Sequence, residues 1–159
     1  MVLRERTTQP PGPAAGSPGR EEGCRCFVEP PADARLIGSA RVLVVDDLDP
    51  ILEFARLFLL AAGYDVLVAT SAEEALTVFE SETVPIDLLF TDFNMTGKTG
   101  QQLIDEVSVR WPKTRFILAS GNLEQNERHQ IERSYGAHIL DKPYHVREAI
   151  SLIAGILRR

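Results

Sequence analysis

From Arg41 onward, apolar and polar positions follow two alternating rhythms. Short apolar runs occupy 41–45, 65–69, 87–91, 115–119 and 138–140, and longer stretches with apolar residues at every third or fourth position lie between them. The runs are too short for buried helices and predict five strands; the intervening stretches predict helices. Asp49-Pro50 predicts an N-cap followed by proline at the first helical position, Gly63 ends that helix, and Ile51, Ala55, Phe58, Leu59 and Ala62 share its inner face. Ser71 caps a second helix with Ala75, Leu76 and Phe79 inward, and a third, 99–111, carries Leu103, Ile104 and Val107 inward until Pro112 stops it. The fourth, 122–135, has few apolar positions beyond Leu123, Ile131 and Tyr135, so it is expected to be the least firmly held. The fifth, 146–157, repeats Val146, Ile150, Ile153 and Leu157, with Leu152 and Ile156 widening the stripe.

Strict alternation of strands and helices with short connections implies right-handed crossovers and a doubly wound parallel sheet with helices on both faces, an α/β fold. Ligands of such sheets bind outside the carboxyl ends of the strands. Asp46, Asp47, Asp92, Ser120 and Lys142 all fall at or just after predicted strand ends. Topology therefore gathers three acids into one crevice. Like charges at close range repel, and a set of oxygen ligands favours a hard cation, most simply Mg2+.

Composition narrows the picture further. The chain has 159 residues, 44% of them hydrophobic and 25% charged, which is the balance of a globular protein with one working core. Its net charge of -6, with no basic stripe, argues against direct nucleic-acid binding. No apolar stretch approaches the roughly 20 residues of a membrane span, and the start lacks the apolar core of a signal peptide. A cytoplasmic protein with no membrane contact is expected. Residues 1–40 hold six of the ten prolines, five of the eleven glycines and no periodic apolar pattern, so they are expected to form a disordered extension, leaving 41–159 as the domain. Both cysteines, Cys24 and Cys26, fall in that extension; a Cys-x-Cys pair without a nearby histidine reads as incidental reduced thiols.

The five strand-end residues suit phosphoryl transfer to an aspartate. A metal held by carboxylates neutralises phosphoryl oxygens, a remaining carboxylate serves as nucleophile, and a lysine and a hydroxyl hold the other oxygens. Here residues 41–159 resemble the receiver domain of two-component response regulators. The matching stretches are Val44-Val45-Asp46-Asp47, Thr91-Asp92-Phe93-Asn94-Met95, the Gly97 and Gly100 pair, Leu118-Ala119-Ser120-Gly121 and Lys142-Pro143-Tyr144. The resemblance implies a flavodoxin-like strand order 2-1-3-4-5. It also implies Mg2+ binding by Asp46, Asp47, Asp92 and the backbone carbonyl of Asn94. Asp92 would accept a phosphoryl group from a histidine kinase or phosphotransfer protein, with Ser120 and Lys142 on the phosphoryl oxygens. Such a chain catalyses only its own phosphorylation and slow dephosphorylation, so it is not counted as an enzyme. Its signal would leave through the fourth and fifth helices and the strand between them, toward a downstream protein or a second copy.

The chain also departs from the family pattern. The usual proline after Met95 is Thr96, which is expected to loosen that loop. The usual aromatic three residues before Lys142 is Ile139, with His138 and Tyr144 flanking the position as candidate substitutes. Asn94 and Asn122 stand at the positions that tune phosphoryl lifetime, and neither is acidic, so unaided dephosphorylation is expected to be slow. The sequence runs out just after the fifth helix, from which a stand-alone receiver is expected. Two other readings compete. A haloacid-dehalogenase-like phosphohydrolase would use Asp47-Leu48-Asp49 as its Asp-x-Asp nucleophile motif, and a pseudo-receiver would act as a non-phosphorylated interaction module.

Overall fold

The computed structural model describes residues 40–158. The expectations for the N-terminal extension, Cys24 and Cys26 lie outside them. Five strands, β1 (Arg41–Val45), β2 (Asp65–Ala69), β3 (Leu88–Asp92), β4 (Arg115–Ser120) and β5 (His138–Asp141), alternate with five helices. The helices are α1 (Asp49–Ala61), α2 (Ala72–Ser81), α3 (Gly100–Arg110), α4 (Gln125–Tyr135) and α5 (Val146–Leu157). All strand pairs are parallel, in the order β2-β1-β3-β4-β5. This is the doubly wound order that the family resemblance implies, with the switch point between β1 and β3.

The period-two alternation of the strands divides the interior into two cores. Val42, Val44, Phe90, Ile117 and Leu140 pack under α1 and α5, whereas Leu43, Val45, Leu89, Phe116 and Leu118 pack under α2, α3 and α4. The central strands β1 and β3 are buried on both faces, which is why they read as unbroken apolar runs. Burying the largest of these side chains stabilises the fold by about 1.5–3 kcal/mol each.

Helix ends differ in detail from the sequence reading. Asp49 is the first helical residue of α1 and Leu48 occupies the N-cap without a side-chain hydrogen bond, so Pro50 stands one position further into the first turn. Ser71 caps α2 by accepting the Glu74 N–H at 3.1 Å. Thr99 and Gln102 form a reciprocal capping box on α3. α4 starts at Gln125, three residues later than expected, and buries only Ile131. On α5 the widened stripe closes the core: Ile156 is buried, and Leu152 packs partly buried against the same cluster.

Candidate functional site

Parallel pairing aligns the carboxyl ends of β1, β3 and β4. Val45 stands opposite Thr91, and Asp92 opposite Ala119. The residues that follow β1 and end β3 are therefore neighbours across the sheet, and ligand oxygens of Asp46, Asp47 and Asp92 lie within 4.8 Å of one another. Asp46 is buried; Asp47 and Asp92 are half-buried. Three converging carboxylate oxygens form a donor set that fits a hard cation.

Lys142 reaches the crevice from the end of β5. Its backbone N–H donates to the Ser120 carbonyl at 2.8 Å, which fixes the stem beside β4. Its ammonium then lies 3.2 Å from Asp46 Oδ2 and 3.1 Å from Asp92 Oδ1. Burial alone would lower the lysine's pKa. The hydrogen bond and charge of Asp92, followed by those of Asp46, outweigh it, and the net displacement is upward. Lys142 is thus held as a cation between two acids. The Lys142–Pro143 peptide bond is cis.

Each carboxylate has its own restraint. The Leu48 backbone N–H donates to Asp46 Oδ1 at 3.0 Å, a contact that turns the chain into α1. Asp47 Oδ2 accepts the backbone N–H of Thr96 at 2.8 Å and its hydroxyl at 2.7 Å. The hydroxyl, then the backbone N–H, hold the Asp47 carboxyl below the usual carboxylate range. Thr96 therefore ties its loop to the segment after β1, contrary to the looser loop expected from the missing proline.

Ser120 is buried at the last position of β4 and accepts the Asn122 N–H at 3.4 Å. Asn94 is exposed on the loop that follows Asp92. Asp49 is exposed at the start of α1 and does not join the acidic group. His138 opens β5, and Tyr144 lies three residues beyond its end. Tyr144 packs its ring 5.9 Å from that of Phe90, and with Ile51 and Ala55 it walls a small cavity behind Asp46 and Asp92. Burial, above all, pushes its hydroxyl pKa upward. Ile139 is half-buried against the core that includes α4.

Two supporting residues take roles in the site that the sequence alone did not assign them. The first is Thr96. The second is Gly100, where an added Cβ would stand 2.1 Å from the Asp92 carbonyl oxygen and 2.9 Å from Leu118 Cδ1. The glycine lets the start of α3 rest directly on the end of β3, and its N–H donates to the Phe93 carbonyl at 3.0 Å.

Residues 42–154 match the response regulator receiver domain family, and the chain belongs to it. It is 34% identical over 122 residues to the transcriptional regulatory protein AruR of Pseudomonas aeruginosa, covering 75% of this chain and 50% of that protein. It is 30% identical over 116 residues to the response regulator protein FleR of the same species, covering 73% of this chain and 24% of the relative. The chain thus matches half or less of the length of these curated relatives. A receiver domain crystal structure from Clostridium thermocellum superimposes with a TM-score of 0.70 at 27% identity, covering 76% of this chain and 95% of the other. Among the described residues no helix is long and apolar enough to cross a membrane.

Proposed function

We propose that this receiver domain takes a phosphoryl group onto Asp92 from a phosphohistidine of a kinase or phosphotransfer protein, with Mg2+ bound by Asp46, Asp47, Asp92 and the Asn94 carbonyl. The observation that carries this reading is the convergence of three carboxylates with one lysine bridging two of them. An Asp92 oxygen forms a bond to phosphorus while the bond from phosphorus to the donor nitrogen breaks. The electron pair stays on that nitrogen, which takes up a proton. Mg2+, when bound, neutralises phosphoryl oxygens. Lys142 keeps its positive charge throughout and passes from pairing with Asp92 to pairing with the new phosphoryl oxygens.

Phosphorylation replaces the single negative charge of the Asp92 carboxylate with the roughly 1.5 to 2 negative charges of a phosphoryl group. Ser120 is the hydroxyl at hand, and its present contact with Asn122 is long enough to give up cheaply. Moving Ser120 pulls on the segment that leads into α4, which is anchored by one buried residue, Ile131, by an ion pair from Arg128 to Asp141 on β5, and at its far end by Tyr135, which hydrogen-bonds Asp105. The surface formed by α4, β5 and α5 is the output face on this reading. The domain acts only on its own aspartate, and its place is the cytoplasm with the kinase.

Incubation with acetyl phosphate or phosphoramidate and Mg2+ is expected to add the mass of one phosphoryl group. Labelling that survives in Asp92→Asn but disappears in Asp47→Asn would instead favour a hydrolase nucleophile at Asp47. A chain that never labels under either donor would fit the interaction-module reading. Mg2+ alone is expected to raise the melting temperature by mass action, because the folded crevice binds it and the unfolded chain does not. An unchanged melting curve up to millimolar Mg2+ would exclude a cation site of useful affinity.

A further inference from the structure

The three acids of the crevice are restrained by different means. Asp46 receives a backbone N–H from Leu48 and the Lys142 ammonium, and Asp92 receives the same ammonium. Asp47 Oδ2 instead accepts both donors of a single residue, the Thr96 N–H at 2.8 Å and Oγ1 at 2.7 Å. These two bonds cross 49 positions of sequence and join the loop after β3 to the segment after β1. A proline at position 96 would have neither a backbone N–H nor a hydroxyl to offer. Thr96 thus makes a link that the residue usual in the family lacks.

We infer that Thr96 is a positioning residue for the cation site, fixing Asp47 Oδ2 so that the other carboxylate oxygen is presented to the metal. The inference rests on the proposed cation site at Asp47. The physical basis is preorganisation. An aspartate side chain on a partly exposed loop has rotamers to lose when it takes up a ligand, and two hydrogen bonds made beforehand remove that loss from the binding step. Hydrogen bonds that orient a metal-ligating side chain typically carry tenfold or greater effects on affinity. The same bonds bring the segment holding Asn94 toward Asp47, so two proposed oxygen donors from separate loops are held in register before the ion arrives. The bland alternative is a surface hydrogen bond worth about 1 kcal/mol to folding, with no bearing on the metal.

The two alternatives separate in a direct titration of the metal-free protein with Mn2+, followed by calorimetry or by water-proton relaxation. Thr96→Ser, which keeps both donors, is expected to bind Mn2+ like the wild-type chain. Thr96→Val keeps the shape and the N–H but lacks the hydroxyl, and is expected to bind about tenfold more weakly. Thr96→Pro, lacking both donors, is expected to be weaker than Thr96→Val. Circular dichroism melts of each variant check that the fold is retained, and Thr96→Ala replaces Thr96→Val if the latter does not fold. Equal or tighter Mn2+ binding by Thr96→Val overturns the inference, as does a serine variant as weak as the valine one. A wild-type chain that binds no Mn2+ overturns the cation reading itself and the inference with it, a result distinguishable from the first two.

Discussion

Asp92→Asn is expected to abolish labelling by acetyl phosphate and, in the absence of divalent ions, to raise the melting temperature. The loss of labelling follows because an amide oxygen is a poor nucleophile toward phosphorus and no other carboxylate ends β3. The gain in stability follows from the balance of charges. Asp92 faces two like charges, with ligand oxygens no more than 4.8 Å apart, and one opposite charge at 3.1 Å. At an effective dielectric of about 20 the two repulsions outweigh the single attraction, and the difference is on the order of 1 kcal/mol. The asparagine side chain keeps an oxygen that can accept from Lys142, so the hydrogen bond survives the loss of charge. Mg2+ is expected to reverse the order, because the wild-type crevice has three carboxylates to offer the ion and the variant two. A metal-free Asp92→Asn protein that melts below the wild type would contradict a crevice strained by unneutralised charge.

The second large effect is expected at Gly100. Gly100→Ala places a Cβ 2.1 Å from the Asp92 carbonyl oxygen, well inside any real contact distance, and the atom it meets is backbone at the end of a central strand. Neither side can yield alone. Either α3 withdraws from β3, breaking the bond from the Gly100 N–H to Phe93, or the end of β3 shifts and takes Asp92 with it. Overpacking of this kind costs about 3 kcal/mol, or roughly 10 °C in melting temperature for a domain of this size. Phosphoryl uptake is expected to fall with it, since the acceptor sits on the displaced segment. Gly155→Ala is the control: nothing lies within 4 Å of its added Cβ. In the exposed face of α5 it is expected to stabilise by about 0.5–1 kcal/mol. Thermal melts of the two variants side by side give opposite signs if steric conflict at Asp92 is the cause, and similar losses if any alanine in these helices is harmful.

The fold was readable because its signals are periodic. Apolar runs on buried strands and a three-to-four spacing on helices survive without knowledge of tertiary contacts, and α5 appears at the residues its stripe predicted. The gathering of Asp46, Asp47, Asp92 and Lys142 was readable too, since strand-end position in a parallel sheet fixes which side chains meet. Errors arose where a residue's partner lies far away in sequence or where two local rules compete. Asp49 looks like an N-cap, but the chain enters the helix one residue earlier because Asp46 already takes the Leu48 N–H. The start of α4 carries polar residues on both sides of the true boundary, so no periodic cue marks Gln125. Thr96 reads as a lost proline, and its gain as a double donor appears only when Asp47 is placed beside it.

The two cores described above lie on opposite faces of the sheet, with α4 over one, α5 over the other and β5 at the edge between them. The surface built from these three elements, the output face on the proposed reading, therefore faces sideways, along the plane of the sheet. The crevice of Asp46, Asp47 and Asp92 opens upward from the strand ends, at roughly a right angle to it. A phosphoryl donor approaching the crevice and a target approaching the edge would travel along perpendicular paths. On the proposed reading, delivery of the phosphoryl group and recognition of its effect use different sides of the domain.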